Sequence, residues 1–397
     1  MKKNLHQRGA QAPLVGFKAG AQIKVKVEKL AIGGAGVARH EGLVVFIPQA
    51  APNEELLVEL TFVKKNFAEA RILEILSPSP FRRTPPCPVA NVCGGCNWQH
   101  ITEEEQLRQK ELLVLETIKK FNRDLEFEYL PIQKSPRSLR YRNRIQPKYA
   151  NDKFGFFARN SHEIIPITDC PITETTLTDK FSEVKDWIRG QKKPGLQKLE
   201  MYISEDDKVR YGLISDDDDG IGFSQVNRFQ NVDLIQTVLN WTQGDSYPHI
   251  WDFYSGAGNF TFPLADNWTS ARVTGVELNP KLVERGQAKS SDPRVEFVKS
   301  DVESFLLKRQ PRPEDLVILD PPRAGASEPI MRALIEARPR KIIYISCHPV
   351  SLARDLQWFF AHAQKSGIKA QLTRVQAFEM FPQTDHVETV VELRVDS

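Results

Sequence analysis

Cys347 closes an apolar run, KIIYIS, and is followed by HPV and a helical pattern, so one thiol stands where a strand stops. Three carboxylates close earlier apolar runs in the same way: Glu277 after ARVTGV, Asp301 after VEFVKS and Asp320 after DLVIL. Three more titratable groups, Asp385, His386 and Glu388, fall within MFPQTDHVETV. A thiolate near carboxylates can add to an electron-poor ring carbon while an acid or base moves a proton. Methylation of carbon 5 of a pyrimidine needs that pair. The ring carbon is a poor nucleophile until a thiolate adds at carbon 6, and its own proton must leave afterwards. Glu388 is preferred as the base over Asp385 and His386. Asp320-Pro321-Pro322-Arg323 fits beside them, because D/N-PP motifs set an acid and two stiff prolines against a flipped base.

These groups need a sheet whose strands end together. Ile342, Ile343, Tyr344 and Ile345 read as a strand covered on both faces. A helix should follow, capped by Ser351, with Leu352, Ala353, Leu356 and Trp358 at helical spacing. Upstream, Ile250–Tyr254 is a strand that turns through Gly256 and Gly258 into a helix, and the runs ending at Glu277, Asp301 and Asp320 follow in alternation with helices. LTRVQAFEMF and HVETVVELRV add two strands with no helix between them. The expectation is a doubly wound α/β sheet with a final antiparallel hairpin, an order shared by methyltransferases that use S-adenosylmethionine. GAGNF lacks the third spaced glycine of the dinucleotide fingerprint, which disfavours a pyrophosphate ligand. Glu277 is placed to bind both ribose hydroxyls, and Asp301 lies near the adenine.

With 397 residues, two or three domains are expected. The net charge of +3 is mild, so any affinity for nucleic acid has to come from basic residues gathered on one face. No stretch approaches a membrane span and no apolar leader opens the chain, so a cytoplasmic protein without membrane attachment is expected. Residues 1–20 read as a disordered basic arm. Residues 21–78 hold short alternating strands with glycine corners, which suit a small β-barrel with Lys24, Lys26, Lys64, Lys65 and Arg71 on its surface. The proline-rich stretch Ser77 to Pro88 reads as a linker.

Five cysteines, unevenly placed, argue against a disulfide framework. Cys87, Cys93 and Cys96 lie close together in CPVANVCGGCNWQH, a spacing that points to a metal or cluster site. The fourth ligand can come from Cys170 or Cys347, or from His100 if the metal is zinc, and four thiolates suit either zinc or a 4Fe-4S cluster. Glu103 to Phe121 reads as a packing helix. Beyond it, Arg137, Arg140, Arg142, Arg144 and Lys148 interleave with Tyr141 and Tyr149, as on a strand with one basic face that contacts nucleic acid. Asp216 to Asp219 forms an acidic turn.

Taken together, these motifs resemble the RNA 5-methyluridine methyltransferase family, in particular the members with an N-terminal TRAM barrel and an iron-sulfur cluster that act on 23S ribosomal RNA. The resemblance covers nearly the whole chain after the first twenty residues. CPVANVCGGC with the later DCP implies Cys87, Cys93, Cys96 and Cys170 as ligands of a 4Fe-4S cluster. FSQVN implies Gln225 on the cofactor and Phe223 against the target base. DFYSGAGNF implies cofactor contacts by Tyr254 and Asn259, joined by Glu277 and Asp301. DPPRAG implies Asp320 at the junction of cofactor and base, SCHP implies Cys347 as nucleophile, and MFPQTDHVE implies Glu388 as base. Tyr254, Ser255, His348 and Asp385 depart from the usual family residues. The implied architecture is a TRAM barrel (21–78), a central iron-sulfur and RNA-binding domain (79–222) and a Rossmann-like methyltransferase domain (223–397). The implied activity is methylation of a uridine in structured RNA by a monomer. Ribosomal RNA is the first expectation and transfer RNA the second, with a noncatalytic RNA-binding factor as the alternative of a different class.

Overall fold

The computed structural model describes residues 16–214 and 225–396. Phe223 and the acidic run Asp216 to Asp219 lie outside them, as does most of the basic arm. The chain divides into two compact units, one running to Thr84 and including His100–Thr102, the other formed by Pro85–Gln99 and Glu103 onward.

The first unit is a barrel of β1 (Gln22–Leu30), β2 (Gly36–His40), β3 (Leu43–Ile47), β4 (Glu55–Val63) and β5 (Phe67–Ser77), closed in the order β1-β2-β3-β5-β4. Alternation makes it a barrel. In QIKVKVEKL the residues Ile23, Val25 and Val27 point inward and the lysines outward. Each aliphatic side chain buried this way is worth about 1.5–3 kcal/mol. The proline-rich segment is not a free linker throughout: Arg82 pairs with the buried Glu54 and donates to the Gln49 carbonyl at 2.7 Å, fastening residues 79–84 to the barrel.

The second unit opens with α1 (Glu103–Phe121) and β6 (Glu128–Gln133). Next come β7 (Arg144–Ile145), β8 (Lys148–Ala150), β9 (Lys153–Phe157), β10 (Ile164–Pro166), α2 (Thr175–Thr178), α3 (Phe181–Gly190), β11 (Gln197–Ile203) and β12 (Val209–Leu213), whose strands form one antiparallel sheet. The expected basic strand is broken up here. Arg140 is bidentate to Asp169 at 2.7 Å, Arg144 is paired with Glu200, Arg137 stacks 3.8 Å from the Phe229 ring centre, and Tyr141 is buried. Asp169 and Glu200, distant in sequence, turn Arg140 and Arg144 into internal ties, and the Phe229 ring does the same for Arg137.

The remaining elements are α4 (Arg228–Thr242), β13 (His249–Phe253), α5 (Thr261–Asn267), β14 (Arg272–Glu277), α6 (Pro280–Lys289), β15 (Val295–Lys299), α7 (Val302–Leu306), β16 (Leu316–Leu319), α8 (Glu328–Ala337), β17 (Lys341–Ser346), α9 (Pro349–Lys365), β18 (Ala370–Phe378) and β19 (Glu388–Val395). Among the described residues, eight strands form a sheet in the order β15-β14-β13-β16-β17-β19-β18-β6. The first five are parallel, β19 is antiparallel to its neighbours, and β18 and β19 make the expected hairpin. β16 and β17 are buried along their whole length, as apolar runs covered by helices on both faces should be. Residue 223 does not bound this sheet. β6 pairs in parallel with β18, and α1 packs against α9, β18 and β6, so residues 103–133 are part of the same layer structure. Among the described residues, no helix is long and apolar enough to cross a membrane.

Candidate active site

Strand register decides which side chains meet. Ser346 faces Thr389 across the β17–β19 pair, so one step further Cys347 comes level with Glu388. On the other side of β17, Leu319 is level with Tyr344 and with Phe253, which sets Asp320 beside the end of β17 and Tyr254 beside Asp320. Glu277 closes the next strand out. Gln225, Tyr254, Glu277, Asp301, Asp320, Cys347 and Glu388 all line one cavity of about 780 Å³, together with Arg323 and Phe381. A cavity of this size suits a cofactor-sized ligand.

The glycine turn after β13 shapes one wall. Tyr254 and Gly256 have φ of 63° and 57°, and a Cβ on Gly258 would run into the Phe262 ring. Glu277 accepts from the backbone N–H of Gly256 at 3.1 Å and of Asn279 at 2.7 Å, which fixes its carboxylate at the rim. Asp301 caps α7, accepting from Ser304 N at 2.8 Å, and this backbone bond lowers its pKa. Asn259 does not line the cavity; its side-chain amide exchanges hydrogen bonds with Asn231 at 2.8 and 3.2 Å. His386 packs edge-on against Phe381, and Asp385 is bound to Asn97, so neither lines the cavity as Glu388 does.

Electrostatically the site is crowded with acid. Burial pushes the Asp320 carboxyl up to about 8, helped by Asp252 behind it. Asp252 is fully buried, is raised by burial to about 7, and accepts from Thr261 Oγ1 at 2.5 Å. Glu388 is raised well above the carboxylate range, by burial first and then by Asp320. Burial followed by Glu388 and Asp320 pushes the Cys347 thiol up to about 12, against the pull of Arg323. Without a ligand, Cys347 is therefore a neutral thiol at physiological pH. Its alkylation by iodoacetamide at pH 8 should be slower than that of a free thiol by on the order of a hundred- to a thousandfold, rising about tenfold per pH unit. Peptide mapping by mass spectrometry reads this out, and labelling as fast as free cysteine would contradict a protonated thiol.

Sequence reasoning missed what holds the DPPR loop. Ala326 N and Tyr344 OH both donate to Asp355 Oδ2, at 2.8 and 2.5 Å. Ser351 Oγ donates to Arg323 O at 2.8 Å, and Arg354 Nη2 to Ala324 O at 2.6 Å. A Cβ on Gly325, at φ 82°, would collide with Asp355. Thus α9, which begins just after Cys347, staples the loop carrying Asp320 and Arg323. The expected cap of that helix is corrected too: His348 caps it, accepting from Ser351 N, because Pro349 occupies the first turn. Asp252 had a readable signal as a carboxylate inside the strand HIWDF; Asp355 and Arg354 had none.

The four other cysteines converge elsewhere in the second unit. Cys87, Cys93, Cys96 and Cys170 line one cavity of about 200 Å³. Gly94 lets the loop approach β9, its N–H donating to Phe157 O at 2.9 Å. Burial raises the thiols of Cys87 and Cys93 and lifts that of Cys96 to about 12. His100 instead pairs with Ala50 O at 3.2 Å. Among the described residues, no set of three or more His, Cys, Asp or Glu is arranged to hold a metal ion.

Residues 17–73 match the TRAM domain family, residues 250–333 a methyltransferase domain family, and residues 312–395 the tRNA (Uracil-5-)-methyltransferase family. An RNA methyltransferase of Bdellovibrio bacteriovorus is 68% identical over the full length of both chains. The 23S rRNA (uracil(1939)-C(5))-methyltransferase RlmD of Dichelobacter nodosus is 32% identical, over 92% of this chain and 97% of that one. Among solved structures, the tRNA (uracil-54, C5)-methyltransferase of Pyrococcus abyssi, in complex with S-adenosyl-L-homocysteine, superposes with a TM-score of 0.71 at 24% identity. It covers 94% of this chain and 100% of its own, and the two share a fold.

Proposed function

The chain belongs to the RNA uracil-5-methyltransferases, in the branch that carries a TRAM domain, and from that premise we propose that it methylates carbon 5 of a uridine in 23S ribosomal RNA. The observation that carries this reading is the meeting of Cys347, Glu388 and Asp320 at one cavity.

The cavity fits S-adenosylmethionine. Glu277, Asp301, Glu303, Asp320 and Glu388 line it against Arg323, which favours a ligand carrying sulfonium and ammonium charge. When bound, S-adenosylmethionine supplies an electrophilic methyl group. Glu277 takes the ribose hydroxyls, and Gln225, Tyr254, Asp301 and Asp320 complete the wall. Asn259 joins them on releasing Asn231. Glu388, Asp320 and Cys347 all have raised pKa values and hold their protons until a cation enters the cavity, whose charge favours carboxylate and thiolate and so couples activation of both base and nucleophile to cofactor binding.

In the reaction Cys347 gives its proton to water and its sulfur bonds to carbon 6, the electron pair of the 5,6 double bond moving to O4 as an enolate. Carbon 5 would then take the methyl group as its bond to the sulfonium breaks and the neutral thioether leaves. Glu388 removes the proton from carbon 5, the double bond reforms, and Cys347 leaves as thiolate. Asp320 borders both partners. Incubation with methyl-labelled cofactor and transcripts of 23S rRNA or tRNA tests the assignment: label at C5 of one 23S uridine is expected. Label only in tRNA would move the substrate, and no label at all would favour a binding factor.

For the cysteine cavity we infer a 4Fe-4S cluster bound by Cys87, Cys93, Cys96 and Cys170. Each iron of a cluster takes one thiolate, so the sulfurs need not close on a single point as zinc requires. Four thiols line that one cavity, the number of thiolates such a cluster takes. It would tie the loop of Cys87–Cys96 to Cys170. Anaerobically purified protein should be brown and hold about four irons per chain, both lost in Cys170→Ala. Colourless protein containing zinc would overturn this assignment.

A further inference from the structure

The turn between β18 and β19 borders the cavity through Phe381 and leads into Glu388. Its backbone is held from several sides of the second unit. Asn227 Nδ2 donates to Met380 O at 3.1 Å, Lys110 Nζ to Phe381 O at 3.1 Å and Tyr141 OH to Pro382 O at 3.0 Å. The last residues before Glu388 are held by the cysteine loop itself. Trp98 N donates to Gln383 O at 3.1 Å. Asn97 Nδ2 donates to Asp385 Oδ1 at 2.6 Å, and Asp385 N donates to Asn97 Oδ1 at 3.0 Å. Asn97 follows Cys96 directly, and Asp385 stands three residues before Glu388. Asp385 is 6% exposed, and a charge-assisted bond in such a setting is stronger and more directional than a surface contact.

We propose that Asp385 is a positioning residue whose two-point bond to Asn97 makes the geometry of the Cys96 loop set the aim of the Glu388 carboxylate. This rests on the reading of Glu388 as the base. Proton transfer depends steeply on placement, whereas thiol addition by Cys347 uses a strand end fixed by β17 and α9. Disturbing the brace should therefore slow the last chemical step and spare the first.

A 5-fluorouridine RNA separates the two, because its adduct forms and is methylated but cannot lose fluorine as a cation. In Asp385→Ala and Asn97→Ala, trapping of this RNA should proceed at the wild-type rate, while turnover of the uridine RNA falls on the order of a hundredfold and its methylated adduct accumulates. Asp385→Asn keeps the acceptor for Asn97 and should restore turnover, which an Asp385 acting as base could not do. The double variant should be no worse than either single one. Independently of activity, amide hydrogen exchange over residues 381–388 should quicken in Asn97→Ala and in Cys96→Ser, with α9 unchanged. Parallel loss of trapping and turnover, or unchanged exchange over 381–388, overturns the brace. A wild-type protein that traps no 5-fluorouridine RNA instead removes the uracil reading on which it rests.

Discussion

Cys347→Ala is expected to abolish both methyl transfer and covalent capture of 5-fluorouridine RNA, lowering turnover by at least about 10⁴-fold. Without the sulfur, carbon 5 never gains the electron density it needs, and Asp320 and Glu388 cannot substitute for a bond to carbon 6. The fold should survive. Cys347 sits at the end of β17 and is only partly buried, so losing its sulfur should change stability by about 1 kcal/mol or less. Labelled methyl incorporation and a denaturation-resistant protein–RNA band measure the two activities. A variant that still forms the band would show that another nucleophile operates.

Glu388→Gln should give the opposite picture: turnover reduced by about 10²–10⁴-fold with a covalent, methylated RNA adduct accumulating. Glutamine keeps the shape but cannot take the proton from carbon 5, so the thiolate cannot leave. Two further effects follow from the field at the site. Once ionised, Glu388 raises the Cys347 pKa, so at alkaline pH, where Glu388 carries charge, the variant's thiol should alkylate faster than the wild type. The Glu388 pKa is itself raised in the folded state. The stability this lends is complete below the unfolded carboxylate value and lost as pH climbs through the folded one. The variant should thus gain melting temperature relative to wild type at pH 8 more than at pH 5. Normal turnover with no adduct would exclude Glu388 as the base.

The acids and the thiol were legible from sequence because each ends an apolar run, and strand ends in a parallel sheet share one edge. Register then did what spacing could not, bringing Cys347 level with Glu388. The ties between distant segments were invisible. Nothing near Asn97 announces Asp385, and Arg140 and Arg144 read as part of a basic face because their partners Asp169 and Glu200 lie elsewhere in the chain. The His348 cap escaped notice since a serine stood nearby as the commoner choice. Asn259 shows the converse: a motif match whose side chain is engaged with a neighbour helix in this state.

β6 takes the outermost place in the catalytic sheet although it is made long before β18, the strand it lies against. During synthesis that berth cannot fill until β18 has left the ribosome. The methylating half is consequently not a cassette: a gene fragment beginning near residue 225 would leave one border of β18 bare, inviting chains to aggregate edge to edge. Any graft of this domain onto another protein has to carry residues 103–133 along with it.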